Sequence, residues 1–258
     1  MKRGSAHSGL QWQDTADAIN NRFDMMRRFF LSLTVLFSVE TAVWSQQQKA
    51  PDGGQSLSRT ALSMARQGLV NVKDVDPTLR VSLMYARKDN FTGAVLYGDL
   101  REAYLLPKAA EALKKAQARL KELRPGLSLI VYDAARPMSI QQRMWDKVKN
   151  TPQYFYVSNP KNGGGMHNYG MAVDISICNE RGDTIPMGTK VDHMSALSHI
   201  DKEAELAAQG RLSAEAMENR KLLREAMEAG GWKPLRTEWW HFNLCTRAEA
   251  RAKYRVVR

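Results

Sequence analysis

The chain has 258 residues, 43% of them hydrophobic and 25% charged, with a formal net charge of +11. This is ordinary globular composition for one or two domains, and the charge does not mark a nucleic-acid surface: basic residues alternate with acids, as in "EALKKAQARLKELR", and no basic run is interleaved with aromatics. The two cysteines, Cys178 and Cys245, are too few for a four-cysteine zinc knot or a disulfide framework.

In chain order, Arg27 and Arg28 precede the apolar run Phe29–Val39, and Val43 and Ser45 place small residues before Gln46. This is the pattern of a secretory signal peptide over residues 25–45. Its eleven apolar residues are too few for a membrane span, which needs roughly 20. Signal peptides begin at their basic region, so translation is expected to start at Met25 or Met26, with residues 1–24 a mis-assigned extension. Residues 46–57 read as a flexible leader and residues 58–258 as one domain. The pattern implies an exported protein with no stable membrane span after signal cleavage.

Within the domain, residues 69–86 alternate like a strand with a turn at Asp76–Pro77. "NFTGAVLYG" reads as a loop or short strand. The next segment opens at Pro107 and spaces Ala110, Leu113, Ala116 and Leu120 as a helix, stopped by Pro125–Gly126. "LSLIVYDAARP" reads as a strand running into a loop, "MSIQQRMWDKVK" as a helix and "MAVDISI" as a strand. Residues 198–229 read as helical with a break near Gly210, and "TEWWHFNL" as a last strand. Strands and helices without a regular βαβ repeat indicate an α+β fold: a single domain with a central antiparallel sheet flanked by helices.

Five histidines occur. His7 falls in the extension, and His193 and His199 lie in "DHMSALSH". His167 stands seven positions before Asp174 and directly after "GGGM", and His241 stands three after Glu238 in "EWWH". A catalytic zinc commonly takes three protein ligands and keeps one position open. His167, Asp174 and His241 would serve, with Glu238 as a carboxylate able to accept a proton. In a regular strand, residues three apart face opposite ways, so Glu238 and His241 need a bulge, or Glu238 must lie where the strand begins. Spacing alone leaves a second reading open, in which the glycines are a turn before an ordinary buried strand.

Several segments in order resemble the D-alanyl-D-alanine dipeptidase family, the zinc dipeptidases of the vancomycin-resistance type. They are "LMYARKDNFTGAVLYG", "VYDAARP", "HNYGMAVDISI", "MGTKVDHMSALSH", "NRKLLREAMEAGGW" and "EWWHF", spread over about residues 68–250. The resemblance implies a hedgehog/D,D-peptidase-like fold and one Zn2+ per chain bound by His167, Asp174 and His241. It implies Glu238 as catalytic base, Arg136 as stabiliser of the developing oxyanion, and Asp192 as partner of the substrate ammonium. The implied substrate is a small D,D-dipeptide, cleaved in cell-wall peptide turnover or scavenging; together with the signal peptide, this substrate implies a periplasmic location. Where the family usually carries serine, two residues before the first ligand, this chain has Gly165, so any side-chain hydrogen bond from that position is lost. The glycines themselves read as a flexible approach beside the substrate. The shared H-x-x-G-x-A-x-D and E-x-x-H pieces keep a D,D-carboxypeptidase acting on stem peptides as the alternative. A zinc-holding binding module would need neither Glu238 nor Arg136.

Overall fold

The computed structural model describes residues 57–258. The expected extension, the expected signal peptide and residues 46–56 of the expected leader lie outside the described residues.

Helix α1 (Arg59–Arg66) begins where Ser58 Oγ accepts the Ala61 amide at 3.1 Å, and it buries Ala61 and Met64. The stretch from 69 to 86, expected to alternate as a strand, is broken up. It forms strand β1 (Val70–Asn71), the helical turn α2 (Val72–Val75), strand β2 (Arg80–Val81) and a 3-10 turn at Met84–Ala86. Its Asn and Asp side chains are the cause. Asn71 Oδ1 accepts the Lys73 amide at 3.1 Å and Asp76 Oδ1 accepts the Thr78 amide at 2.9 Å. Such local bonds compete with a strand ladder, and apolar alternation does not register them.

Residues 87–103 run as a loop to strand β3 (Tyr104–Leu105), which pairs antiparallel with β1. Helix α3 (Pro107–Leu123) carries Pro107 in its first turn, where the missing amide costs no bond, and buries the expected stripe Ala110, Leu113, Ala116 and Leu120. Then come β4 (Ser128–Asp133), α4 (Met138–Val148) and β5 (Ala172–Cys178). The expected helical region resolves into α5 (Glu203–Ala208) and α6 (Ala214–Ala229), separated around Gly210. The chain closes with β6 (Lys233–Leu235), β7 (Glu238–Asn243) and α7 (Arg247–Lys253).

The main sheet has the order β2-β4-β5-β7-β6. It is antiparallel except at one edge, where β2 runs parallel to β4. The expectation of an antiparallel sheet is corrected there. The connection between the two strands carries β3 and all of α3, a crossover long enough for a parallel return. Every residue of β5 is buried, so this central strand is covered on both faces. Val173, Ile175 and Ile177 project to one face and join an apolar core with Leu113, Leu120, Leu223 and Met227 of α3 and α6. The two helices come close at the end of α6, where a Cβ on Gly230 would stand 2.3 Å from the Ala112 carbonyl oxygen. The opposite face of β5 carries Asp174. No helix among the described residues is long and apolar enough to cross a membrane.

Candidate metal centre

Asp174 on β5 and His241 on β7 are register partners on adjacent strands, which places both side chains on one face of the sheet. His167 reaches them from the 3-10 turn Met166–Tyr169 that leads into β5. His241 Nδ1 lies 3.0 Å from Asp174 Oδ1, His167 Nε2 lies 3.3 Å from Asp174 Oδ2, and the two ring nitrogens are 3.2 Å apart. One ligand atom from each residue falls within 4.8 Å of the others.

The surroundings of the two rings decide what this cluster suits. His167 Nδ1 lies 2.7 Å from the Ala134 carbonyl oxygen, which only accepts, so Nδ1 carries the proton and Nε2 presents a lone pair. On His241, Nε2 lies 3.0 Å from Asn243 Oδ1, and assigning the proton there leaves the Nδ1 lone pair facing inward. Two lone pairs and a carboxylate thus converge, an arrangement that a cation satisfies and a hydrogen bond between the rings does not. The donor set therefore fits a divalent metal with nitrogen and oxygen preference, zinc included.

All six residues singled out in the sequence line one cavity of about 300 Å³, at the small end of the ~300–1,000 Å³ typical of ligand pockets. Glu238 is the first residue of β7. Pro234 pairs with Phe242 but Leu235 pairs with Glu238, so Trp239, Trp240 and His241 bulge out of the β6 ladder. Strand start and bulge together let two residues three apart line the same cavity. Trp239 points elsewhere, its Nε1 donating to Thr189 Oγ1 at 2.7 Å. Burial first, then the negative charges of Asp174 and Asp192, push the Glu238 carboxyl up to about 7.

Arg136 lies between β4 and α4, and its amide donates to the His167 carbonyl at 3.0 Å. Its Nε donates to Asp133 Oδ2 at 2.9 Å, Nη2 donates to the same oxygen, and Nη1 donates to Gln141 Oε1 at 2.9 Å. Burial works against its charge, but Asp133 and further anionic neighbours outweigh it and keep the guanidinium cationic. Asp192 has φ +64°, the one positive value at a non-glycine among the described residues. Aspartate tolerates this left-handed backbone better than most side chains do. Tyr85 Oη donates to Asp192 Oδ2 at 2.7 Å. Burial, then the charge of Asp174, push Asp192 up to about 7. Its loop is braced by the fully buried Arg220 of α6, which donates to the Met187 carbonyl at 2.7 Å and the Leu197 carbonyl at 3.0 Å.

The glycines before His167 are set by geometry, which corrects the expected flexible approach. Gly164 has φ +68°, and a Cβ there would stand 2.3 Å from Asn168 Oδ1. Gly165 has ordinary extended backbone (φ −103°), and the space its side chain would need is bounded by Ser158 Oγ, 3.1 Å from the Cβ position.

Sequence reasoning missed the supporting residues Tyr85, Asp133, Gln141, Asn168 and Asn243. Tyr85, Asp133 and Asn168 stand inside the quoted segments, and Asn243 directly follows "EWWHF". A polar residue beside a candidate ligand is the signal that would have found them. Asn168 ties the site together: its Nδ2 donates to the Arg136 carbonyl at 2.8 Å and its Oδ1 accepts the Gly165 amide at 2.8 Å. His193 and His199 do not line the cavity.

Over residues 65–257 the chain matches the family model described as D-ala-D-ala dipeptidase. The D-alanyl-D-alanine dipeptidase of Escherichia coli is 34% identical over 176 residues, 68% of this chain and 84% of that protein. The protein of the same description from Streptomyces coelicolor is 31% identical over 182 residues, 64% and 86% of the two chains. That from Enterococcus faecalis is 29% identical, also over 182 residues, with the same 64% and 86% coverage.

Proposed function

Because the chain belongs to the D-alanyl-D-alanine dipeptidase family and is a metallopeptidase, we propose that it hydrolyses D-alanyl-D-alanine to two D-alanines, with one zinc ion held by His167, Asp174 and His241 and Glu238 as general base. The observation that carries this reading is the convergence of two imidazole lone pairs and a carboxylate inside a small cavity that also holds Glu238 and Asp192.

When bound, zinc supplies Lewis acidity to the scissile carbonyl and to the attacking water. Glu238 takes a proton from that water as its oxygen bonds to the carbonyl carbon. It returns the proton to the leaving nitrogen as the C–N bond breaks. Burial raises the proton affinity of this carboxyl, which suits it to both roles. Arg136, pinned by Asp133 and Gln141, offers its remaining N–H groups to the oxyanion without reorganising. Asp192 and Tyr85 bind the substrate ammonium. The cavity of about 300 Å³ has room for a ligand of dipeptide size. The basic and apolar pattern of residues 25–45 supports export to the periplasm and a role in cell-wall peptide turnover.

Release of free D-alanine from D-Ala-D-Ala, with zinc and after chelation, tests the reading against a stem pentapeptide ending in the same pair. Zinc-dependent cleavage of the dipeptide alone is the expected result. Cleavage of the pentapeptide would move the protein to the D,D-carboxypeptidases, and cleavage of neither would overturn the reading.

A further inference from the structure

A free dipeptide carries a carboxylate as well as an ammonium. The residues assigned above leave that carboxylate without a partner, since the N–H groups that Asp133 and Gln141 leave free on Arg136 are assigned to the oxyanion. A second arginine, Arg247, lines the same cavity. Its Nη2 donates to the Asn162 carbonyl at 2.9 Å and the Gly164 carbonyl at 2.7 Å. Both partners are neutral backbone groups, so among the described residues no side chain offsets its charge, and Nε and Nη1 remain available.

Ser158 stands on the same part of the wall. Its Oγ lies 3.1 Å from the Cβ position of Gly165, the residue that follows the carbonyl Arg247 holds. Ser158 lines the cavity, and its hydroxyl has no hydrogen-bond partner among the described residues. The Ser158 backbone is fixed: its carbonyl accepts Gln141 Nε2 at 2.8 Å, and Gln141 Oε1 accepts Arg136 Nη1 at 2.9 Å. Gly165 adds no side chain between these groups and the cavity. A cation with free donors and a free hydroxyl, both beside one side-chain-free residue, are complementary to an anionic oxygen pair.

We infer that Arg247 and Ser158 form the subsite for the terminal carboxylate of the substrate, an inference that rests on the dipeptidase reading. Arg247 donates from Nε and Nη1, and Ser158 donates its hydroxyl proton. The subsite is built on segments other than those that carry Asp192 and Tyr85, and in this reading it sets which end of the dipeptide enters where.

Hydrolysis of D-Ala-D-Ala is compared with hydrolysis of its C-terminal amide, using the zinc-loaded full chain. The wild type is expected to favour the acid through a KM lower by roughly tenfold, as for one charge-assisted contact. Arg247→Gln raises the KM for the acid by about that factor and leaves the amide and both kcat values unchanged. Ser158→Ala acts in the same direction with a smaller effect, and the double variant has no preference. Arg251 also donates to the Asn162 carbonyl but does not line the cavity, so Arg251→Gln removes a loop anchor and keeps the preference. If Arg247→Gln folds poorly by melting and zinc content, Arg247→Lys keeps the charge and the preference. A preference that survives in Arg247→Gln/Ser158→Ala, or is lost equally in Arg251→Gln, overturns the subsite. Release of no D-alanine by the wild type from either substrate overturns the dipeptidase reading instead.

Discussion

The two ends of the cavity are built by different means. At the metal end, Asp174 and His241 are opposite members of a strand pair, and His167 enters from the turn that starts the same strand. Backbone hydrogen bonds set their spacing, and single contacts from Asn243 and the Ala134 carbonyl set the rings. At the end proposed to hold substrate, Asp192 and Ser158 come from separate loops held by the buried side chains of Arg220 and Gln141, and Arg247 comes from the first turn of α7. Strand register positions a ligand set as a consequence of the fold. Loop residues need dedicated braces, because irregular backbone has no ladder to hold it.

The sharpest test of this contrast lies where the chemistry occurs. Glu238→Gln is expected to lower kcat by about 10²–10⁴ while leaving one zinc per chain by metal analysis, since Glu238 is not among the three converging ligands. Loss of zinc in this variant would make Glu238 a ligand. Next in size, Arg220→Met removes the brace of the Asp192 loop and a partner of the buried Glu203. Denaturant unfolding should show a loss of about 3 kcal/mol, the low end for a broken buried pair, because Arg224 still holds Glu203 at 2.7 Å. In the folded fraction KM rises and zinc affinity does not change; a parallel loss of zinc affinity would mean that the two ends are not separately held.

A change in the opposite sense is expected at the metal end. Asn243→Ala frees the His241 ring, and competition with a chelator should show zinc affinity weaker by about 10–100-fold, with KM measured at saturating zinc unaffected. The smallest effect is on stability against pH in the metal-free protein. Glu238 and Asp192 are raised from 4.5 and 3.8 to about 7. The unfolded chain gives up these protons first, so the folded state holds more of them between about pH 4 and 7. Their contribution to stability therefore falls as pH rises through that window and is level above it. Melting profiles of the wild type and of Glu238→Gln/Asp192→Asn should diverge in that sense, with the variant gaining on the wild type as pH rises. Bound zinc should offset the loss, so the zinc-induced rise in Tm is larger at pH 8 than at pH 5.

Much of the framework was legible in the chain. The helices α3, α4 and α6 and the strands β4 and β5 follow from apolar spacing and from Pro and Gly at their ends. The region from 69 to 86 was misread because Asn71 and Asp76 bond their own neighbours, a local effect that apolar alternation does not carry. The β6–β7 hairpin and its bulge were needed to explain how Glu238 and His241 line one cavity. Pairing alone makes them visible, since a bulge is a mismatch between two strands.

By itself the sequence named the candidates for the chemistry. Spacing left the site open, and the resemblance of the ordered motifs to the dipeptidase family singled out His167, Asp174, Glu238 and His241, residue types that metal binding and proton transfer demand whatever the backbone does. The tertiary structure alone decided how those groups are tuned. The ring tautomers depend on Ala134 and Asn243, the charge on Arg136 is held by Asp133, and the lone hydroxyl of Ser158 sits where Gly165 leaves space. These are matters of distance and burial. They arise between segments as far apart as residues 85 and 192, and no local pattern along the chain encodes them.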